Sequence, residues 1–175
     1  MTNAAGPAGG TAAQLRQAFD ASFAEPLREA AAPPEAFLAI RVDADAHALR
    51  LADVASLLPL EAVTPLPGPL PELLGVIGHR GTVLPVYDLR LLLGYPGAAA
   101  PRWGVVLAAA PLALAFDGFD GHLRAPRRDG ERVDGAPPTA PDVLQLDGQV
   151  RPVVPTAALL ATITAAAQRC AAPTV

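Results

Sequence analysis

The residues from Leu73 to Leu89 restrict the possible fold more than any other part of the chain. Two apolar runs, Leu73-Leu74-Gly75-Val76-Ile77-Gly78 and Thr82-Val83-Leu84-Pro85-Val86-Tyr87, flank a polar tip at His79-Arg80-Gly81. Apolar runs on either side of a glycine-containing break predict a β-hairpin. Asp88 closes the second run and precedes Leu89-Arg90-Leu91-Leu92-Leu93-Gly94. An aspartate before a short leucine-rich run, with glycine behind it, predicts a helix capped at both ends. Strand, turn, strand and helix therefore follow one another without a gap.

The remaining sequence reads mostly as strands arranged around this unit. Residues 1–10 are small and polar and predict disorder. In 11–31, Leu15, Ala18, Phe19, Ser22, Phe23 and Leu27 recur at helical spacing, which predicts an amphipathic helix ended near Pro26. Its apolar stripe would dock on its own domain or on a partner. Residues 1–34 thus form a tail plus helix ahead of a main domain at 35–170.

Within that domain, Phe37–Val42 is a predicted strand, Asp43–Ala46 its turn, and His47–Leu51 an alternating second strand. Ala52–Leu58 begins a third strand after a short connection. Pro65, Pro67, Pro69 and Pro71 rule out an interior strand or helix, leaving a stiff connector into the hairpin. Residues 95–101 form a Gly/Ala/Pro linker and a boundary between two halves. Three strands are expected over 103–109, 112–116 and 119–124. Residues 126–141 predict a loop, 143–154 a hairpin with Asp147-Gly148 at its turn, and 156–170 a helix. Nine or ten short strands with helices at both ends and in the middle predict small β-barrels or a sandwich.

Composition bounds the function. The chain has 175 residues, of which 51% are hydrophobic and only 5% aromatic, so an aliphatic core is expected. A formal net charge of -4 argues against a nucleic-acid binder, which needs surplus cations to neutralise phosphates. Cys170 is the single cysteine, which excludes an internal disulfide and a paired-cysteine metal site. The first residues lack the basic and apolar regions of a signal peptide. The uncharged run from Trp103 to Phe116 carries Gly104 and Pro111 and falls short of the ~20 apolar residues that span a bilayer. A cytoplasmic protein without direct membrane insertion is expected.

No catalytic constellation stands out. His47, His79 and His122 lie far apart in sequence, and none has the spacing of a metal motif. The three-residue spacing of Gly75, Gly78 and Gly81 matches no phosphate-binding pattern and predicts tight strand geometry. Arg124, Arg127, Arg128 and Arg132 are surrounded by Asp117, Asp120, Asp129, Glu131 and Asp134, as on a solvated mixed-charge loop. Helix capping accounts for Asp88. Arg80 has two readings: a solvated turn residue, or a presented guanidinium that pairs with a carboxylate on a partner or inside the fold. No catalytic residue, metal or cofactor is expected.

The order Gly75-Val76-Ile77, Arg80-Gly81, Pro85-Val86 and Asp88-Leu89 resembles the signature of the CheW-like family, roughly G-V-I-x-x-R-G-x-x-x-P-V-x-D-L. Val54–Leu57 with Thr64–Pro67, Leu112–Phe119 and Leu146–Leu160 resemble flanking elements, so the similarity spans residues 36–165. It implies a mainly β fold of two small five-stranded barrels, SH3- or OB-like, packed around a shared core. The first would span residues 46–94 and the second 101–154, completed by exchanged terminal segments. It also implies a non-enzymatic adaptor in bacterial chemotaxis signal transduction. Such an adaptor couples the helical cytoplasmic tip of a chemoreceptor to the regulatory domain of a CheA-type histidine kinase, in membrane-associated receptor arrays. A scaffold of a specialised non-flagellar pathway is the alternative, and a small-molecule-binding barrel a more distant one.

Carried over by position, Leu51, Val54, Ser56, Arg80 and Gly81 match the receptor-side groove, while Gly75, Pro85 and Asp88 match structural positions. Two places depart from the family pattern. Ser56 stands where glutamate is usual, and Gly78-His79 where Asn-Leu is common.

Overall fold

The computed structural model describes residues 34–96, 100–125, 142–146 and 149–171. The predicted helix at 11–31, the loop at 126–141 and the Asp147-Gly148 turn lie outside them. Ten strands are present among the described residues: β1 (Glu35–Val42), β2 (Asp45–Arg50), β3 (Val54–Pro59), β4 (Leu73–His79), β5 (Thr82–Asp88), β6 (Trp103–Leu107), β7 (Ala113–Phe116), β8 (Gly118–Ala125), β9 (Val143–Leu146) and β10 (Gln149–Pro152). Helix α1 is Leu89–Leu92 and α2 is Thr156–Ala171. A 3-10 turn at Leu51–Asp53 separates β2 from β3, where strand had been expected to run through Leu51.

The strands form three sheets, ordered β2-β1-β8, β3-β6-β7-β5-β4 and β10-β9. No closed barrel is found among the described residues; the expected mainly β class is observed, and barrel closure is not. The pairing also crosses the segment 95–101. Strands β3, β4 and β5 precede it, β6 and β7 follow it, and all five share one sheet. The join is a parallel ladder of Val86, Tyr87 and Asp88 with Ala113, Leu114 and Ala115. The crossover between these parallel strands runs through α1 and β6, an arrangement that local sequence signals do not encode.

Strand alternation sorts side chains onto two sides of the five-stranded sheet. Val105, Leu107, Leu114, Phe116 and Tyr87 join Leu38, Ile40, Val42 and Leu49 from the three-stranded sheet, and Leu159 and Ile163 from α2. This is the core that the two sheets share. Ile77, Leu84, Val86, Val106, Ala113 and Ala115 build a second cluster on the opposite side, completed by Leu58, Leu60, Val63 and Leu74. All five strands contribute to that second cluster. The register shift between Val54 and Ser56 lets Val54 and Leu57 both face the shared core, against simple alternation.

The β4–β5 hairpin forms as its sequence predicts, with His79 paired to Thr82 across a two-residue turn. Pro85 sits in mid-strand without cost. Val76, its cross-strand partner, spends its N–H and C=O on Thr64, each at 2.9 Å, so this row carries no hydrogen bonds between β4 and β5. The nitrogen of Pro85 therefore points away from β4, ahead of the first row paired with β7, where no ladder bond is lost.

Asp88 caps α1 by accepting the Arg90 N–H at 2.9 Å, and Gly94 follows the helix at φ 85°, as expected of a left-handed terminator. Burial pushes the Asp88 carboxyl up, opposed by the Arg90 N–H and the Arg90 charge. A neutral cap therefore suits the site. Asp88→Asn is expected to stay within about 0.5 kcal/mol of the parent, whereas Asp88→Ala loses about 1 kcal/mol. Urea midpoints compared at neutral pH check both.

Candidate functional site

Strand directions bring the five sequence-selected residues to one end of the five-stranded sheet. Strand β3 starts there, because it runs antiparallel to β6, which ends there. Strand β5 starts there too, parallel to β7, and β4 ends there. Leu51 and Val54 therefore share this end with the Arg80-Gly81 turn, and Ser56 lies one row in, opposite Val106. Leu51 is exposed, Val54 and Ser56 are half-buried, and Arg80 and Gly81 are exposed.

At Asp53, which precedes Val54, and Leu107, which pairs with Val54, lies a groove of about 540 Å³ that the sequence did not single out. One wall is α2, through Ala157, Leu160, Ala161, Thr164 and Ala165; the facing side includes Asp53, Leu107 and Ala109. Two stripes on α2 explain it. Leu159 and Ile163 point into the core, and small residues on the adjacent stripe leave space. The signal was present as a second set of positions at helical spacing, hidden because alanine dominates that stripe. The helix is fixed against this end by Thr156 Oγ, which donates to Asp53 Oδ2 at 2.5 Å. Asp53 also holds the end of β6, its carbonyl accepting the Ala108 N–H at 2.9 Å.

Arg80 and Gly81 have φ of 48° and 79°, the doubly left-handed geometry of a type I′ hairpin turn. Glycine or asparagine takes the first of these positions easily. For arginine, the clash of Cβ with the following carbonyl costs about 1–2 kcal/mol. Arg80 forms no ion pair with any described residue. Of the pairings that the second sequence reading left open, the one inside the fold is not observed among the described residues. Ser56 likewise offers it no carboxylate.

The structural positions carry their own chemistry. A Cβ on Gly75, which has φ 147°, would stand 2.0 Å from the Thr64 carbonyl oxygen. Gly75 thus allows the proline-rich connector to pin itself to β4 through Thr64. Two polar clusters escaped sequence reasoning. Arg90, surrounded by leucines in sequence, is buried and ion-paired with Asp117, which also accepts the Asp43 N–H at 2.6 Å. His47 is buried, with Nδ1 3.3 Å from the Asp45 carbonyl oxygen and its ring edge-on to Tyr95. His79 is half-buried and His122 exposed. Among the described residues no group of three or more His, Cys, Asp or Glu could hold a metal ion.

Tyr95 donates to Asp45 Oδ2 at 2.7 Å, and this bond, with burial and the charges of Asp45 and Asp43, pushes its hydroxyl up to about 12. An unfolded tyrosine ionises near pH ~10. The folded state therefore binds more protons between those values, and stability falls as pH rises through that window. The stability advantage of the parent over Tyr95→Phe is expected to hold below pH ~10 and shrink toward pH ~12, read from denaturation midpoints across the range.

The comparisons with known proteins now bear on these features. A model of the CheW-like domain matches residues 36–129, more than half of the chain. The chain belongs to the CheW-like family. The fold of this CheW-like protein is similar to the crystal structure of the scaffolding protein TtCheW from Thermoanaerobacter tengcongensis. That match has a TM-score of 0.59 at 17% sequence identity and covers 69% of this chain and 88% of that one. No curated protein matches. The matched span holds the whole hairpin, β3 and the 3-10 turn, so all five selected residues lie inside it. The groove wall on α2 lies beyond it. No described helix is long and apolar enough to cross a membrane.

Proposed function

We propose that this CheW-like protein is a non-enzymatic chemosensory adaptor that couples the helical cytoplasmic tip of a chemoreceptor to the regulatory domain of a CheA-type histidine kinase. The observation that carries this is the apolar groove between α2 and the end of β6, lined by Asp53, which precedes Val54, and by Leu107, which pairs with Val54. A groove walled by Leu107, Leu160 and small alanines suits an amphipathic helix, which enters such a site with its apolar face. Leu51, Val54, Ser56, Arg80 and Gly81 form the receptor contact along this end of the sheet. The kinase domain contacts other exposed faces, and the protein acts in the cytoplasm at receptor arrays.

Titration of the full chain with a receptor cytoplasmic fragment, and separately with a kinase regulatory domain from the same genome, tests it. Binding of both is expected. Binding of neither would contradict the adaptor role. Leu160→Glu, which places a charge in the groove wall, is expected to weaken receptor binding and leave kinase-domain binding unchanged.

A further inference from the structure

The hairpin of β9 and β10 stands apart from the two larger sheets. Among the described residues its strands pair only with each other, whereas β1 carries a ladder on each side. Its backbone attachments lie at its base. There the Val153 N–H donates to the Asp142 carbonyl at 2.7 Å, and the Val154 N–H donates to the Ala48 carbonyl at 2.8 Å. The Asp142 carboxylate pairs with Arg50 at 2.5 Å. Val153 and Val154 are buried and fix the base in place.

The two faces of this hairpin have inverted polarity. Val143 and Val150 are 51% and 58% exposed, and Gln145, paired with Val150, is exposed as well. The other face carries Leu144 and its cross-strand partner Arg151. Leu144 packs on the cluster of Phe37, Ala48, Ala125 and Val153, and the Arg151 side chain is only 11% exposed. The strands thus turn two valines to water and a guanidinium inward.

That guanidinium is weakly held. Both terminal nitrogens reach the same Asp120 oxygen at 3.4 Å, and one also reaches Gln149 Oε1 at 3.1 Å. Charge-assisted bonds run at about 2.7–2.9 Å. Asp120 is also shared with Arg41, which it meets at 3.0 Å. Taking a cation out of water is costly, and a long, shared contact returns little of that cost. We propose that β9 and β10 form a latch that opens as a unit from its base at Val153 while the rest of the fold stays intact. Opening returns Arg151 to water and bares the Phe37 side of the three-stranded sheet. Asp142 and Asp120 hold the latch closed, so the closed state weakens as salt rises.

Amide hydrogen exchange of the full chain tests this. A two-stranded ribbon freed from its support does not keep its own pairing, so the amides of both strands exchange together on opening. In the parent their protection should converge on one value, about a hundredfold or more below that of β1. The inverted polarity then predicts opposite responses to two substitutions at one ion pair. Asp120→Ala leaves the inward guanidinium unpaired, and exchange of β9 and β10 should quicken about tenfold. Arg151→Met puts an apolar side chain beside Leu144 and leaves Asp120 to Arg41 and water, so the same exchange should slow by about threefold or more. Asp142→Asn, or salt raised to about 1 M, should quicken it about threefold. A strand pair held by its ion pairs alone would quicken in Arg151→Met as it does in Asp120→Ala, and that result overturns the proposal. Protection of β9 and β10 equal to that of β1 also overturns it, because the hairpin would then open only when the whole fold does.

Discussion

Gly75→Ala is expected to cost about 2–4 kcal/mol, lowering the urea midpoint well below the parent. The new methyl group would meet the Thr64 carbonyl oxygen at 2.0 Å and the Pro65 Cα at 2.8 Å, both backbone atoms that cannot rotate aside. Relief requires the connector to move off β4, which breaks both 2.9 Å hydrogen bonds between Thr64 and Val76. The φ of 147° adds strain for any residue with a Cβ. Gly78 is the control within the same strand. Nothing lies within 4 Å of a Cβ there, so Gly78→Ala should change stability by less than about 0.5 kcal/mol. Equal losses at both glycines would mean that strand propensity, and not the Thr64 contact, sets the requirement.

Asp117→Ala is expected to lose about 3 kcal/mol by the same measurement. The Arg90 side chain is 3% exposed and pairs with Asp117, while its Nε already lacks a partner among the described residues. Removing the carboxylate leaves a buried guanidinium uncompensated and also frees the Asp43 N–H at the β1–β2 turn. Arg90→Met should cost less than Asp117→Ala, because the partly exposed carboxylate left behind can be solvated. The double variant should be no worse than Asp117→Ala alone, the non-additivity expected of residues in contact. A larger loss for Arg90→Met would place the stabilisation in packing of the arginine stem.

Local signals carried much of the fold. The hairpin turn, the Asp88 cap, Gly94 as helix terminator, the exclusion of regular structure by the prolines, and the start of α2 each depend on residues within a few positions of one another. The failures lie where distant residues decide. The parallel ladder of β5 with β7 merges strands from both sides of 95–101 into one sheet, and nothing near either strand announces its neighbour. The bulge at Val54 and Ser56 changes which face each residue takes, against the alternation that sequence patterning assumes. Arg90 carries no mark of burial in the sequence, because its burial depends on a carboxylate far along the chain.

The candidate site divides in the same way. Arg80 was legible as a lone charge in an apolar hairpin, but its left-handed conformation and lack of a described ion-pair partner needed coordinates. Leu51, Val54 and Ser56 were selected through resemblance, and strand directions then set them at the end of the sheet that carries Arg80. The groove needed both α2 and the end of β6, elements separated by about a third of the chain in sequence, so no local pattern marks it.

Bridging is the property that defines an adaptor, and one capture measurement reads it directly. A receptor cytoplasmic fragment is immobilised, the kinase regulatory domain is passed over it, and the full chain is added or withheld. The kinase domain should be retained only when the chain is present, and retention should fall when Leu160→Glu replaces the parent. Retention that does not change on adding the chain would contradict the account.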